Sequence, residues 1–169
     1  MKIAFLDRDG TINRDYSDKV WTNIIEPEII EESITALQQF LKKGYKIIIV
    51  TNQYLINEGF ITFKQYQNFI KKLFKILEDN KIEILDIFFC PHARKENCAC
   101  CKPATGLIEQ ALKKYPSISI KNSFIVGDSY SDILLGNKLG LKSFGLNLKP
   151  RRSDNFTVAG SLNDVVKYV

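Results

Sequence analysis

Apolar residues along the chain follow two rhythms that alternate from the first residue to the last. Short runs, Ile3-Ala4-Phe5-Leu6, Ile47-Ile48-Ile49-Val50, Ile82 to Phe89, Phe124-Ile125-Val126 and Leu141 to Leu146, carry little polar interruption and predict five buried strands. Between them the apolar positions fall three and four apart. Pro27 to Lys43 carries Ile30, Ile34, Leu37 and Leu41 at helical spacing, with Gly44 placed to stop the helix. Thr62 to Leu77 repeats the pattern with Tyr66, Ile70, Leu73 and Leu77, and its aromatics read as core because they share one helical face. Thr105 to Tyr115 and Ser131 to Leu139 predict two more helices, and Ser161 followed by Asp164 predicts a capped short one near the end.

Strand and helix in alternation predict an α/β fold, a Rossmann-like parallel sheet with helices on both faces. Right-handed crossovers favour a first strand that lies centrally, flanked by the second and fourth. The 169 residues, 45% of them hydrophobic, suit a single domain over 1–169 with a sizeable core, and no repeat or Pro/Gly/Ser linker divides them. Met1-Lys2-Ile3 runs straight into the first strand and no apolar stretch approaches the length of a membrane span, so no membrane partner and a cytoplasmic location are expected. The net charge of +5 comes from scattered lysines, with Lys149-Pro150-Arg151-Arg152 the one tight basic cluster, so a nucleic-acid partner is not expected. Nothing in the pattern demands more than a monomer.

The chemistry lies at the ends of these strands. Asp7 and Asp9 follow the first, spaced so that an extended backbone sends both the same way, and Gly10 permits a sharp turn after them. Asp and Gly also make ordinary turns, and Asp-x-Asp occurs by chance. Three further pieces follow in order. Thr51 and Asn52, after the second strand, offer a hydroxyl and an amide for phosphoryl oxygens; Lys102, before Pro103, offers a compact cation. Asp128 and Asp132, after the fourth strand, complete an acidic cluster of the hard-oxygen kind that Mg²⁺ takes.

Taken together this order resembles the haloacid dehalogenase superfamily of phosphatases, whose four motifs are matched at Asp7 to Thr11, Thr51, Lys102 and Asp128 to Asp132. The resemblance implies that Asp7 attacks phosphorus in line to form an aspartyl phosphate that water then hydrolyses. Asp9 would protonate the leaving oxygen and then deprotonate that water. Mg²⁺ would bind the carboxylates of Asp7 and Asp128 and the backbone carbonyl of Asp9. Thr51 and Lys102 would neutralise the phosphoryl group, and Asp132 would act from behind these groups.

All four cysteines and the one histidine fall between Cys90 and Cys101. Such clustering favours a metal over dispersed disulfides, and Cys90, His92, Cys98 and Cys100 offer one tetrahedral Zn²⁺ set with Cys101 left over. The alternative is a group of buried or redox-active thiols. Under either choice of cysteines the metal would fold the loop 90–102 and leave no open coordination position. Cys-x-His followed by Cys-x-Cys just before Lys-Pro, with Asp-Gly-Thr-Ile-Asn at 9 to 13 and Thr-Asn-Gln at 51 to 53, is similar to the zinc-loop subgroup that contains heptose bisphosphate and histidinol-phosphate phosphatases. That resemblance implies Cys90, His92, Cys98 and Cys100 as Zn²⁺ ligands, and sets Thr11, Asn13, Asn52, Gln53 and Lys102 beside the substrate.

Two departures bear on specificity. Cys101 stands where the subgroup has an Arg, and Tyr54-Leu55 and Glu58-Gly59 stand where it has Ser-Gly and Arg-Gly. An Arg fork clamps a second phosphate; cysteine and glutamate do not. Lys95, Arg94 and Arg14 are the candidates to compensate. The intervals between motifs leave no room for a cap domain, so a capless site walled by the cysteine loop, Asn13 to Ile25 and Tyr54 to Phe60 is expected, with Trp21, Tyr16 and Tyr54 as candidate contacts to a leaving group. The leading expectation is a Mg²⁺-dependent phosphatase of a small phosphorylated metabolite, a sugar such as heptose 1,7-bisphosphate. Histidinol phosphate, a nucleic-acid 3′-phosphate and an inactive zinc-stabilised binding module are the alternatives.

Overall fold

Burial on both faces decides the sheet. The structure, a computed structural model, describes residues 1–151 and 155–169. The strands are β1 (Ile3–Leu6), β2 (Lys46–Asn52), β3 (Ile84–Cys90), β4 (Phe124–Gly127), β5 (Lys142–Leu146) and β6 (Thr157–Ala159). They pair in parallel in the order β3-β2-β1-β4-β5-β6, with β1 between β2 and β4 as the crossover argument requires. The helices are α1 (Asp18–Trp21), α2 (Glu31–Lys42), α3 (Phe63–Asp79), α4 (Gly106–Lys114), α5 (Tyr130–Leu139) and α6 (Leu162–Val166).

Period-two alternation splits each central strand between two cores. Ala4, Leu6, Ile47, Ile49, Phe124 and Val126 pack against Leu37 and Phe40 of α2, Leu73 and Leu77 of α3, and Leu162 and Val165 of α6. Ile3, Phe5, Ile48, Val50 and Ile125 pack against Leu107, Ile108 and Ala111 of α4 and Leu135 of α5. A third cluster, Trp21, Leu55 and Phe69 with Tyr16 and Tyr54 against it, lies beside the carboxyl ends of the strands. No described helix is long and apolar enough to cross a membrane.

The elements differ from the sequence pattern where backbone pairing outweighs side-chain spacing. Helix α2 starts at Glu31, not Pro27, because the preceding residues run extended and pair with the segment after β1: Arg14 N–H donates to the Glu28 carbonyl and Ile30 N–H to the Ile12 carbonyl. Strand β3 begins at Ile84, and Ile82 turns into the core. Two short elements, α1 and β6, were not foreseen; β6 is three residues held at the sheet edge by β5. The last helix forms after Ser161, but the serine side chain makes no capping hydrogen bond. Of the basic cluster at 149–152, Arg152 lies outside the described residues. Arg151 stacks 3.3 Å from the Tyr130 ring centre.

Candidate active site

The carboxyl ends of β1, β2 and β4 open into one cavity of about 210 Å³. Its lining includes Asp7, Asp9, Thr51, Asn52, Gln53, Lys102 and Asp128 from the predicted motifs, and Asp15, Trp21, Tyr54, Ser129 and Ser131 around them. This is the position at which open parallel sheets bind ligands. Gly10, at φ 73°, turns the chain beneath it. A Cβ there would lie 1.8 Å from Asp128 Oδ2, so only glycine lets the first and fourth motifs approach.

Lys102 is the centre of charge. Its Nζ lies 2.8 Å from Asp7 Oδ1 and 2.6 Å from Asp132 Oδ1 and donates to the Val50 carbonyl at 2.9 Å, with almost no exposure. Burial alone would lower its pKa; Asp132 and Asp7 overcome that and raise it above the usual lysine value. Asp7 Oδ1 also accepts from the Arg8 N–H at 2.7 Å. Burial, opposed by Lys102 and reinforced by Asp132, Asp128 and Asp9, pushes the Asp7 carboxyl up to about 8. Burial, with Asp132 and Asp15 close by, pushes Asp128 up to about 6.

Oxygens of Asp7, Asp128 and Asp132 all lie within 4.8 Å of one another. Three acids gather around the one ammonium of Lys102, which pairs with Asp7 and Asp132; more acids than cations stand at this point. Hard oxygens in that excess fit a divalent cation such as Mg²⁺. Asp132 is fully buried; it joins Lys102 on one side and accepts from Ser129 Oγ at 2.8 Å on the other.

Asp9 is held differently. Its carboxylate takes Arg8 Nε at 2.8 Å and Nη2 at 2.7 Å, Gln53 Nε2 at 2.9 Å and Asn13 Nδ2 at 2.9 Å. Arg8, absent from the sequence-based set of site residues, is 1% exposed, and its guanidinium carbon lies 4.8 Å from the Phe69 ring centre and 5.4 Å from that of Trp21. A signal existed: alternation turns the residue between Asp7 and Asp9 away from the cavity, and an arginine buried there must find an acid. Asp15, also missed, accepts from Trp21 Nε1 at 2.9 Å and lines the cavity.

Besides Lys102, the residues expected beside the substrate, Thr11, Asn13, Asn52 and Gln53, are placed mostly as supports. Thr11 and Asn13 are buried below the cavity and are not among its lining residues, because the turn at Gly10 folds them inward. Asn52 reaches the lining, but its amide is spent on the Lys102 main chain, accepting from N–H at 2.8 Å and donating to the carbonyl at 3.2 Å. Gln53 bridges Asp9, Arg8 and the Thr51 hydroxyl. Trp21 and Tyr54 line the cavity; Tyr16 does not, and bonds Glu28 instead.

Cys90, at the end of β3, starts a loop that returns to α4 at Gly106. The Sγ atoms of Cys90, Cys98 and Cys100 lie 3.1 to 3.6 Å apart and His92 Nδ1 lies 3.1 Å from Cys100 Sγ and 3.4 Å from Cys90 Sγ. A tetrahedron with metal–sulfur arms of about 2.3 Å has edges of about 3.8 Å, so the four surround a point suited to Zn²⁺, whereas a disulfide needs about 2.05 Å. Cys101 stands outside the set. Its N–H donates to Cys98 Sγ at 3.3 Å, and its side chain is not among those lining the cavity above Asp7.

Known proteins resemble this chain in sequence and fold. A protein of Photorhabdus laumondii named D-glycero-alpha-D-manno-heptose-1,7-bisphosphate 7-phosphatase is 42% identical over 149 residues, covering 83% of this chain and 79% of that one. A Helicobacter pylori protein named D-glycero-beta-D-manno-heptose-1,7-bisphosphate 7-phosphatase is 40% identical over 148 residues, covering 84% and 81%. The crystal structure of D,D-heptose 1.7-bisphosphate phosphatase from B. bronchiseptica, complexed with magnesium and phosphate, superposes with a TM-score of 0.85 at 21% identity, covering 99% of this chain and 97% of the other. Residues 2–157 match the family described as Polynucleotide kinase 3 phosphatase. The chain, with its parallel sheet and its acids gathered around one buried lysine, belongs to that family of haloacid dehalogenase-type phosphatases.

Proposed function

We propose that the protein is a Mg²⁺-dependent phosphatase that removes one phosphate from a small phosphorylated sugar, D-glycero-D-manno-heptose 1,7-bisphosphate first among them. The observation that carries the chemistry is the buried Asp7–Lys102–Asp132 line opening on a cavity shared with Asp9, Thr51 and Asp128. The relatives named for the heptose substrate, at 42% and 40% identity, carry the choice of sugar.

Asp7 is the nucleophile. Its Oδ1 holds the Lys102 ammonium and the Arg8 N–H, which leaves Oδ2 to attack phosphorus. The bond from phosphorus to the sugar oxygen breaks as the aspartyl ester forms, and Asp9 delivers a proton to the departing oxygen. Water then attacks the phosphorus of the ester, Asp9 takes its proton, and Asp7 returns as the carboxylate with inorganic phosphate released. Lys102 and Thr51 neutralise the phosphoryl oxygens throughout. Magnesium, when bound by Asp7, Asp128 and the Asp9 carbonyl, supplies charge neutralisation and draws Asp7 to the ionised form that burial disfavours.

Asn52 and Gln53 serve by holding Lys102 and Asp9, Asn13 holds Asp9 from below, and Thr11 ties the same turn through its carbonyl, which accepts from Ser33 Oγ at 3.0 Å. Asp132 acts through Lys102. Zn²⁺ on Cys90, His92, Cys98 and Cys100 folds the loop that delivers Lys102. The unit is a capless single domain over 1–169 that acts as a monomer. The test is phosphate release from purified protein with Mg²⁺, comparing both anomers of heptose 1,7-bisphosphate with histidinol phosphate and a 3′-phosphorylated oligonucleotide. The highest kcat/KM is expected for a heptose bisphosphate. Release from none of them defeats the proposal, and preference for histidinol phosphate or the oligonucleotide replaces its substrate.

A further inference from the structure

Resting on that reading of the cavity, we infer that Arg94 is a positioning residue of the reaction, clasping the metal-binding loop to the wall that faces the leaving group. The side chain leaves the loop two residues after His92. Its Nε donates to Glu58 Oε1 at 2.9 Å, its Nη2 lies 2.5 Å from Glu58 Oε2 and donates to Asp18 Oδ2 at 2.9 Å, and its N–H donates to Glu58 Oε1 at 3.1 Å. The guanidinium carbon lies 4.3 Å from the centre of the Tyr54 ring, and the Tyr54 hydroxyl donates to the other oxygen of Asp18 at 2.9 Å. A second strap runs alongside: Asn57 N–H donates to the Pro91 carbonyl at 3.2 Å and Asn57 Nδ2 to Glu96 Oε1 at 2.8 Å.

Two loops and the short helix α1 meet at this one guanidinium. The metal-binding loop carries Lys102, the segment after β2 carries Tyr54, and α1 carries Trp21, and all three of these side chains line the cavity. None is positioned by the sheet alone, and a single exposed ion pair is a weak tie. A planar fork that meets both oxygens of Glu58, one of Asp18 and the face of Tyr54 fixes direction as well as distance, which an ammonium does not. Two carboxylates on one cation leave the cluster negative, so Arg94 does not present a free charge to a second phosphate. It acts through Tyr54 and α1.

The experiment is Arg94→Gln, with Glu58→Gln as the approach from the other side of the clasp. Expected for both is a KM raised about tenfold for mono- and bisphosphates alike, with kcat within about twofold and zinc content unchanged. The double variant is expected to be no worse than either single one. Trp21 is the one tryptophan of the chain, so acrylamide quenching of its emission reports the wall without any turnover, and rises in both variants. Unchanged KM with unchanged quenching overturns the inference, as does a kcat that falls as far as KM rises. A loss confined to the bisphosphate overturns it in favour of direct contact between Arg94 and phosphate. A wild-type protein that turns over no substrate defeats the phosphatase reading, while the quenching still decides the clasp.

Discussion

With magnesium omitted and zinc retained, the folded protein should lose stability as pH rises from 6 to 8. Burial, opposed by Lys102 and aided by the neighbouring acids, pushes Asp7 up to about 8, against 3.8 for the ordinary group. At pH 7 the folded state therefore keeps a proton that the unfolded chain has released. A raised carboxyl destabilises progressively from the unfolded value up to the folded one, at about 1.4 kcal/mol per pH unit for one proton. Between pH 6 and pH 8 the slope falls to half as Asp7 itself titrates, so the loss is about 2 kcal/mol. Asp128, pushed up to about 6, adds its share below that window. Lys102 is raised from 10.5 and gives up its contribution only above the window. For a chain of this length 2 kcal/mol is about 4 to 8 °C in Tm. A divalent cation at about 100 times its Kd returns about 2.7 kcal/mol, and it binds better as the acids ionise, so the slope should vanish with saturating magnesium. The assay is thermal unfolding by circular dichroism with zinc content checked at each pH. Asp7→Asn removes the titrating group and should give a flat profile that lies above the wild type at pH 8. A magnesium-free wild type whose Tm is level or rises from pH 6 to 8, or an Asn variant that falls in parallel, refutes the reasoning.

Three further outcomes follow from the same geometry. Arg8→Met strips Asp9 of its two-pronged partner and should cost about 3 to 5 kcal/mol in chemical denaturation together with a fall in kcat; a stability change under 1 kcal/mol would show that Gln53 and Asn13 suffice. Gly127→Ala drives a Cβ to 2.1 Å from Asp132 Cγ, so Asp132 must leave Lys102; a loss of about 1 to 3 kcal/mol and much of the activity is expected, and an unchanged Tm would contradict the packing. Cys98→Ser should release zinc and raise KM through the loop that carries Lys102, whereas full zinc content would mean that a different set of ligands holds the ion.

The order of elements and the partners of β1 were legible because strands buried on both faces must be apolar throughout and helices that cover them must repeat near 3.6 residues, requirements that leave their mark on consecutive residues. Asp7, Thr51, Cys90 and Asp128 were legible for a related reason: each stands at or just after the end of a strand, and parallel topology sends such ends to one edge, whereas Lys102 and the other Cys/His residues were legible from their clustering in the loop between β3 and α4. Apolar spacing predicts α2 four residues too early because it does not reveal that the segment before the helix pairs with the backbone at 12–14. Strand β6, three residues long, carries too few positions for any period to register.

What the chain alone determined is thus the set of reactive groups and the sheet edge at which they gather, since both depend on local pattern and on the handedness of crossovers. Only the tertiary structure decided which atoms those groups spend on one another. It set Arg8 against Asp9, turned the amide of Asn52 to the main chain of Lys102, drew Thr11 and Asn13 beneath the cavity, and bound Arg94 to Glu58 and Asp18. Hydrogen bonds and ion pairs, most of them here between residues tens of positions apart, depend on directions in space that no spacing along the chain encodes, and they divide the groups that line the cavity from those that hold them still.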